Sequence, residues 1–88
     1  MGNNILYYSD VCPDTKSFIS ELNRLGVRFQ SVNITESMSN LKDFLVERDN
    51  QDVFDEKKAN NEVGIPVLIT KDKEYLFNGS QLREKFEQ

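Results

Sequence analysis

The stretch Tyr7-Tyr8-Ser9-Asp10-Val11-Cys12-Pro13-Asp14-Thr15 decides how this chain folds. It follows Asn4-Ile5-Leu6, so an apolar and aromatic run rich in strand formers leads into turn chemistry at Ser9-Asp10. Pro13 then suits the first position of a helix, where its missing N–H leaves no partner wanting and its fixed φ matches the helix. Asp14 in the first turn complements the helix dipole. The reading is a buried strand, a tight turn and a helix, with Cys12 at or near the N-cap. A thiol in that place faces free backbone N–H groups, which favour the reactive thiolate. Asp10 and Asp14 oppose this as like charges, and no Lys, Arg or His lies within the stretch. A free cysteine is also a common buried apolar residue, and that plain reading stands beside the chemical one.

Outward from this stretch, residues 13–25 read as the first helix, with Phe18, Ile19, Leu22 and Leu25 on one apolar stripe and Gly26 as the stop. Val27 to Ile34 alternates as a second strand, parallel to the first through a right-handed crossover. Thr35-Glu36-Ser37 is cap chemistry for a second helix marked by Met38, Leu41, Phe44 and Leu45 and reaching about Arg48. Residues 53–60 suggest a further short helix capped by Asp52. Val67-Leu68-Ile69 is a continuous apolar run, as in a strand buried on both faces. Lys71-Asp72-Lys73 turns the chain into an edge strand at residues 74–77. Asn78-Gly79 is a turn, with Ser80 as N-cap of a last helix whose inner face is Leu82 and Phe86. The order is β-α-β-α-(α)-β-β-α.

The 88 residues are expected to form one domain over 1–88, with a modest core. Hydrophobic residues make up 38% and charged residues 30%, the balance of a soluble globular protein. The apolar runs are too short for a membrane span, so no membrane partner is expected. No secretory signal is evident, and one cysteine cannot form an internal disulfide, which points to a reducing cytoplasm. A net charge of −4 argues against a nucleic-acid partner, and a single Cys with no His argues against a metal site. A monomer is expected.

Cys12-Pro13-Asp14-Thr15 after an Ile-Leu-Tyr-Tyr strand resembles the glutaredoxins, which carry Cys-Pro-x-Cys at that place. Gly64-Ile65-Pro66 resembles the turn before their cis-proline, and Asn78-Gly79-Ser80 a worn form of their glycine pair before the last helix. Within that family the chain is most similar to small bacterial glutaredoxin-related proteins. The shared segments are Asn33-Ile34-Thr35-Glu36-Ser37, Leu41 to Leu45, Phe54 to Glu56 and Gly64 to Pro66. The resemblance implies an α/β thioredoxin-like fold: a four-stranded mixed sheet of order 2-1-3-4, third strand antiparallel to the first, flanked by three to four helices.

It also implies a function. Cys12 would be the catalytic thiol, and Tyr8, Pro13, Ile65, Pro66, Gly79 and Ser80 would contact the substrate. A cis bond at Pro66 would turn the Ile65 backbone toward Cys12, where it could pair with an extended thiol peptide. Thr15 stands where dithiol relatives have a second cysteine. It either donates a hydrogen bond to a Cys12 thiolate or satisfies the backbone as an ordinary first-turn Thr. In both cases an internal dithiol cycle is excluded, so turnover would use a mixed disulfide. No resident cofactor is expected; glutathione or another small thiol is the implied co-substrate, and a small thiol or a disulfide-bearing protein the partner. Ser9 replaces the lysine that glutaredoxins hold before the motif, Asp14 replaces an aromatic residue, and Gln81 would have to stand in for an acidic contact to the ligand amine. These departures weaken the glutathione assignment. Monothiol relatives that hold an iron–sulfur cluster carry glycine where Pro13 stands, which argues against that cofactor. The favoured function is monothiol thiol–disulfide exchange; the alternatives are a non-catalytic binding module or a redox sensor pairing Cys12 with Cys12 of a second copy.

Overall fold

The computed structural model describes residues 3–87; positions 1, 2 and 88 of the expected domain lie outside the described residues. Along the chain come β1 (Ile5–Tyr8), α1 (Thr15–Arg24), β2 (Gln30–Asn33), α2 (Met38–Asn50), a single 3-10 turn (Asp52–Phe54), α3 (Asp55–Ala59), β3 (Val67–Ile69), β4 (Tyr75–Leu76) and α4 (Gly79–Phe86). The strands form one sheet of order β2-β1-β3-β4. β1 pairs in parallel with β2, setting Tyr7 opposite Val32, and antiparallel with β3, setting Leu6 opposite Leu68. β4 returns antiparallel to β3. This is the mixed sheet, order and strand polarity expected of the thioredoxin-like fold.

Period-two alternation splits the core in two. Leu6, Leu68 and Leu76 point to one face and pack with Phe18 and Leu22 of α1 and Leu82 of α4. Tyr7, Val67 and Ile69 point to the other and pack with Ile34, Phe44 of α2 and Phe54 of the 3-10 turn. Phe54 is fully buried. Its ring meets Phe44, Tyr75 and Phe77 edge-on, with centroids 5.9, 5.7 and 5.3 Å away. Such edge-to-face pairs add about 0.5–1.5 kcal/mol each beyond the area they bury. The long segment between β2 and β3 therefore serves packing, because it delivers Phe54 under the sheet.

Several boundaries differ from the sequence expectation. α1 begins at Thr15, not Pro13, because Thr15 N–H bonds the Cys12 carbonyl at three-residue spacing and the four-residue spacing starts only with Phe18 N–H to Asp14 O. The second strand is shorter than 27–34; Val27 and Phe29 pack onto the α1/α4 core from the preceding loop. α2 is capped by Ser37, whose Oγ accepts from Asn40 N–H at 3.1 Å, and runs on to Asn50. Residues 52–59 divide into the 3-10 turn and α3, with no cap bond from Asp52. The N-cap of α4 is Asn78, not Ser80: Asn78 Oδ1 accepts from Gln81 N–H at 2.9 Å, and Gln81 Oε1 accepts from Phe77 N–H at 2.6 Å. This reciprocal pair resembles a capping box shifted by one residue. Among the described residues no helix is long and apolar enough to cross a membrane.

Candidate functional site

The turn that carries Cys12 is built around Ser9, which is 2% exposed. The Ser9 carbonyl accepts from Cys12 N–H at 3.1 Å and from the Thr15 hydroxyl at 2.7 Å. The Ser9 hydroxyl accepts from Val11 N–H at 3.3 Å and lies 3.0 Å from Thr35 Oγ1. Thr35 gives its one proton to Asn33 Oδ1 at 2.7 Å, so Ser9 is the donor in its bond to Thr35. The loop after β1 is thereby tied to the loop after β2, and Cys12 is held on a turn with its backbone N–H already partnered. Asp14 is the N-cap of α1 and Cys12 lies two residues ahead of it, so the sulfur stands before the helix rather than at its cap.

Cys12 is half-buried and opens onto a groove of about 420 Å³. The opposite wall is Val63-Gly64-Ile65-Pro66, and the Ile65–Pro66 peptide bond is cis. Cys12 Sγ lies 3.9 Å from the Ile65 carbonyl oxygen, a weak S–H contact across the groove. Gly64 takes a φ of +97°, and a Cβ there would come within 3.0 Å of the Phe54 ring, so only glycine fits this wall without strain. Val11, Ile34 and Phe77 give the groove an apolar lining, with Ser9, Asp14, Thr35, Lys57 and Glu62 as its polar members. Lys57 Nζ lies 3.9 Å from Glu62 Oε1 and 5.1 Å from the centre of the Phe77 ring.

A second depression of about 430 Å³ adjoins the first, sharing Asp14, Pro66 and Phe77 and adding Glu21, Gly79 and Arg83. Glu21 Oε2 takes Arg24 at 2.6 Å and Arg83 at 3.4 Å. The hydrogen bond from Arg24 holds the Glu21 carboxyl below the usual range, with Arg83 acting in the same direction. Among the described residues no group of three His, Cys, Asp or Glu side chains converges as a metal site.

The predicted site residues fall into three groups. Cys12, Ile65 and Pro66 meet across the groove, and Gly79 lines the neighbouring depression. Thr15 is buried with its proton committed to the Ser9 carbonyl, so it is the first-turn Thr that satisfies the backbone and not a donor to the sulfur. Tyr8, Pro13 and Ser80 do not line either depression. Tyr8 follows the phase of Leu6 and packs on the α1/α4 core. Pro13 and Ser80 are exposed. Gln81 is engaged in the α4 cap, which takes away the ligand contact considered for it. Sequence reasoning missed Val11, Val63 and Phe77. The signal for Val63 was an apolar residue directly before the Gly64-Ile65-Pro66 turn.

No protein-family model matches the chain. It is 42% identical over 86 residues to an uncharacterized protein of Haemophilus influenzae, covering 98% of this chain and all of that one. Among solved structures it is similar to a glutaredoxin from Methanosarcina mazei, with a TM-score of 0.69 and 23% identity over 99% of this chain and 80% of that one. It is also similar to the glutaredoxin grx-1 from Archaeoglobus fulgidus, with a TM-score of 0.66 and 21% identity over all of this chain and 89% of that one. The chain therefore belongs to one family with the Haemophilus influenzae protein, and its fold is the thioredoxin-like fold of the glutaredoxins.

Proposed function

We propose that the protein is a monothiol thiol–disulfide exchanger acting through a mixed disulfide at Cys12. The Cys12 thiolate attacks one sulfur of a substrate disulfide; a bond from Cys12 to that sulfur forms, the substrate S–S bond breaks, and the other sulfur leaves as a thiolate. Thr15 has no sulfur to resolve this adduct, so a thiol from solution, small or protein-borne, attacks it and regenerates Cys12. The reaction needs no metal or resident cofactor and suits a reducing cytoplasm.

The observation that carries this reading is the lone thiol, half-buried, at the edge of a groove whose far wall is the Gly64–Pro66 turn, with the Ile65 carbonyl 3.9 Å away. An extended chain carrying the target sulfur would lie along the groove beside Cys12 and bond the backbone of that wall.

Incubation with oxidised glutathione or with cystamine, followed by mass analysis, tests it. One adduct at Cys12, reversed by a reductant and lost in Cys12→Ser, is expected from at least one of them. No adduct from either reagent, at concentrations that modify a free cysteine peptide, would remove the exchange reading and leave the groove as a binding surface.

A further inference from the structure

The walls around Cys12 bear on which disulfides the sulfur exchanges with, a reading that rests on its being an exchange thiol. Two of the exposed large apolar side chains stand on this groove: Val11 is 79% exposed and Val63 50%. Scattered exposed valines are ordinary. These two share a groove with one sulfur and continue into Ile34, Ile65 and Phe77. The backbone of the far wall is also unspent. Among the described residues the N–H groups of Val63, Gly64 and Ile65 make no hydrogen bond. Apolar walls beside open backbone donors suit a peptide better than a small polar thiol.

Charge points the same way. Asp14 and Glu62 line the groove, and Asp10 is exposed on the turn that carries Cys12. The cation in the lining, Lys57, already faces Glu62 and the Phe77 ring. In the adjoining depression the cation is Arg83, which faces Glu21. A ligand with carboxylates at both ends, such as glutathione, meets carboxylates near the sulfur and cations that are already paired. A basic ligand meets the opposite.

We propose that the substrate of this groove is a protein or peptide disulfide whose cysteine has apolar neighbours and a nearby Lys or Arg, in preference to glutathione. The apolar neighbours would rest on Val11 and Val63, the peptide backbone would bond the Val63–Ile65 wall, and the basic group would face Asp14 and Asp10. Sulfur exchange is as written above, with a solution thiol closing the cycle.

Initial rates of Cys12 with cystamine and with oxidised glutathione test the charge preference, each divided by the rate of N-acetylcysteine amide with the same reagent. The normalised ratio is expected to favour cystamine by roughly fivefold or more at low salt and to shrink as salt rises. Two cationic peptide disulfides, one with Leu and one with Ser beside the cysteine, test the apolar preference. The Leu peptide should react faster, and Val11→Ser with Val63→Ser should erase the gap. A normalised cystamine ratio of one or below overturns the proposal, as do equal rates for the two peptides. Failure of Cys12 to react with any of these reagents overturns the exchange reading along with it.

Discussion

Thr15 and Ser9 decide how the sulfur is held. The Thr15 hydroxyl has one proton, and the Ser9 carbonyl takes it at 2.7 Å in a buried setting. Thr15→Val leaves that carbonyl with Cys12 N–H as its remaining donor there and should lower stability by about 1 kcal/mol. Thr15→Ser should restore most of it. The pH profile of Cys12 alkylation should be the same in all three proteins, because the hydroxyl is turned to the backbone and not to the sulfur. A profile that moves in Thr15→Val and returns in Thr15→Ser would show the hydroxyl acting on the thiol. Residue type alone left Thr15 between two roles, since one Thr in a first turn can serve either. Only the position of the Ser9 carbonyl separates them.

At the scale of elements, α2 and β4 are joined by one polar contact under the sheet. The Tyr75 hydroxyl donates to Glu47 Oε1 at 2.6 Å. Burial raises the Tyr75 pKa, with the Glu47 hydrogen bond and charge adding to it, and burial likewise raises that of Tyr7, with Asp43 and Glu47 behind it. A tyrosine whose folded pKa is raised contributes stability that is full below its unfolded value of about 10 and is lost as pH climbs above it. The urea midpoint should therefore fall above about pH 10, and Tyr75→Phe should flatten that fall while lowering stability near neutrality by about 1 kcal/mol. An unchanged alkaline slope in Tyr75→Phe would count against the contact. The elements themselves were largely legible in the sequence: the apolar and aromatic run ending at Tyr8 and the unbroken Val67-Leu68-Ile69 run mark the two central strands, while their order in the sheet came with the resemblance. Element ends were less so. Pro13 favoured a helix start, but the hydrogen bonds converging on Ser9 hold residues 9–12 as a turn and delay the helix to Thr15. Ser80 is as good a cap residue as Asn78, and the choice is made by Gln81 reaching back to Phe77.

Across the whole molecule, the groove depends on a core that the local sequence does not announce. Phe54 lies far from Cys12 in the chain, yet its ring packs beneath Gly64, which forms the wall facing the sulfur. Gly64→Ala would put a Cβ at 3.0 Å from that ring and force a side chain into φ +97°. It should destabilise the protein by roughly 2 kcal/mol or more, read as a lower urea midpoint. A midpoint within the spread of ordinary surface substitutions would mean that the wall gives way freely. The Gly64-Ile65-Pro66 turn was legible as a wall through its resemblance to the glutaredoxin turn before the cis-proline. Val11 and Phe77 were not, because their part in the groove follows from the loop after β1 and the segment after β4 coming together in space.

On the exchange reading, it is the folded chain that presents Cys12 to a disulfide. The most direct test compares the rate of Cys12 with cystamine in the native protein and in the same chain unfolded by concentrated urea, each corrected with a free thiol under the same conditions. The native protein should react faster than the unfolded chain, with the excess disappearing along the unfolding transition. A Cys12 that is protected in the native state and reacts only as the chain unfolds would contradict the account.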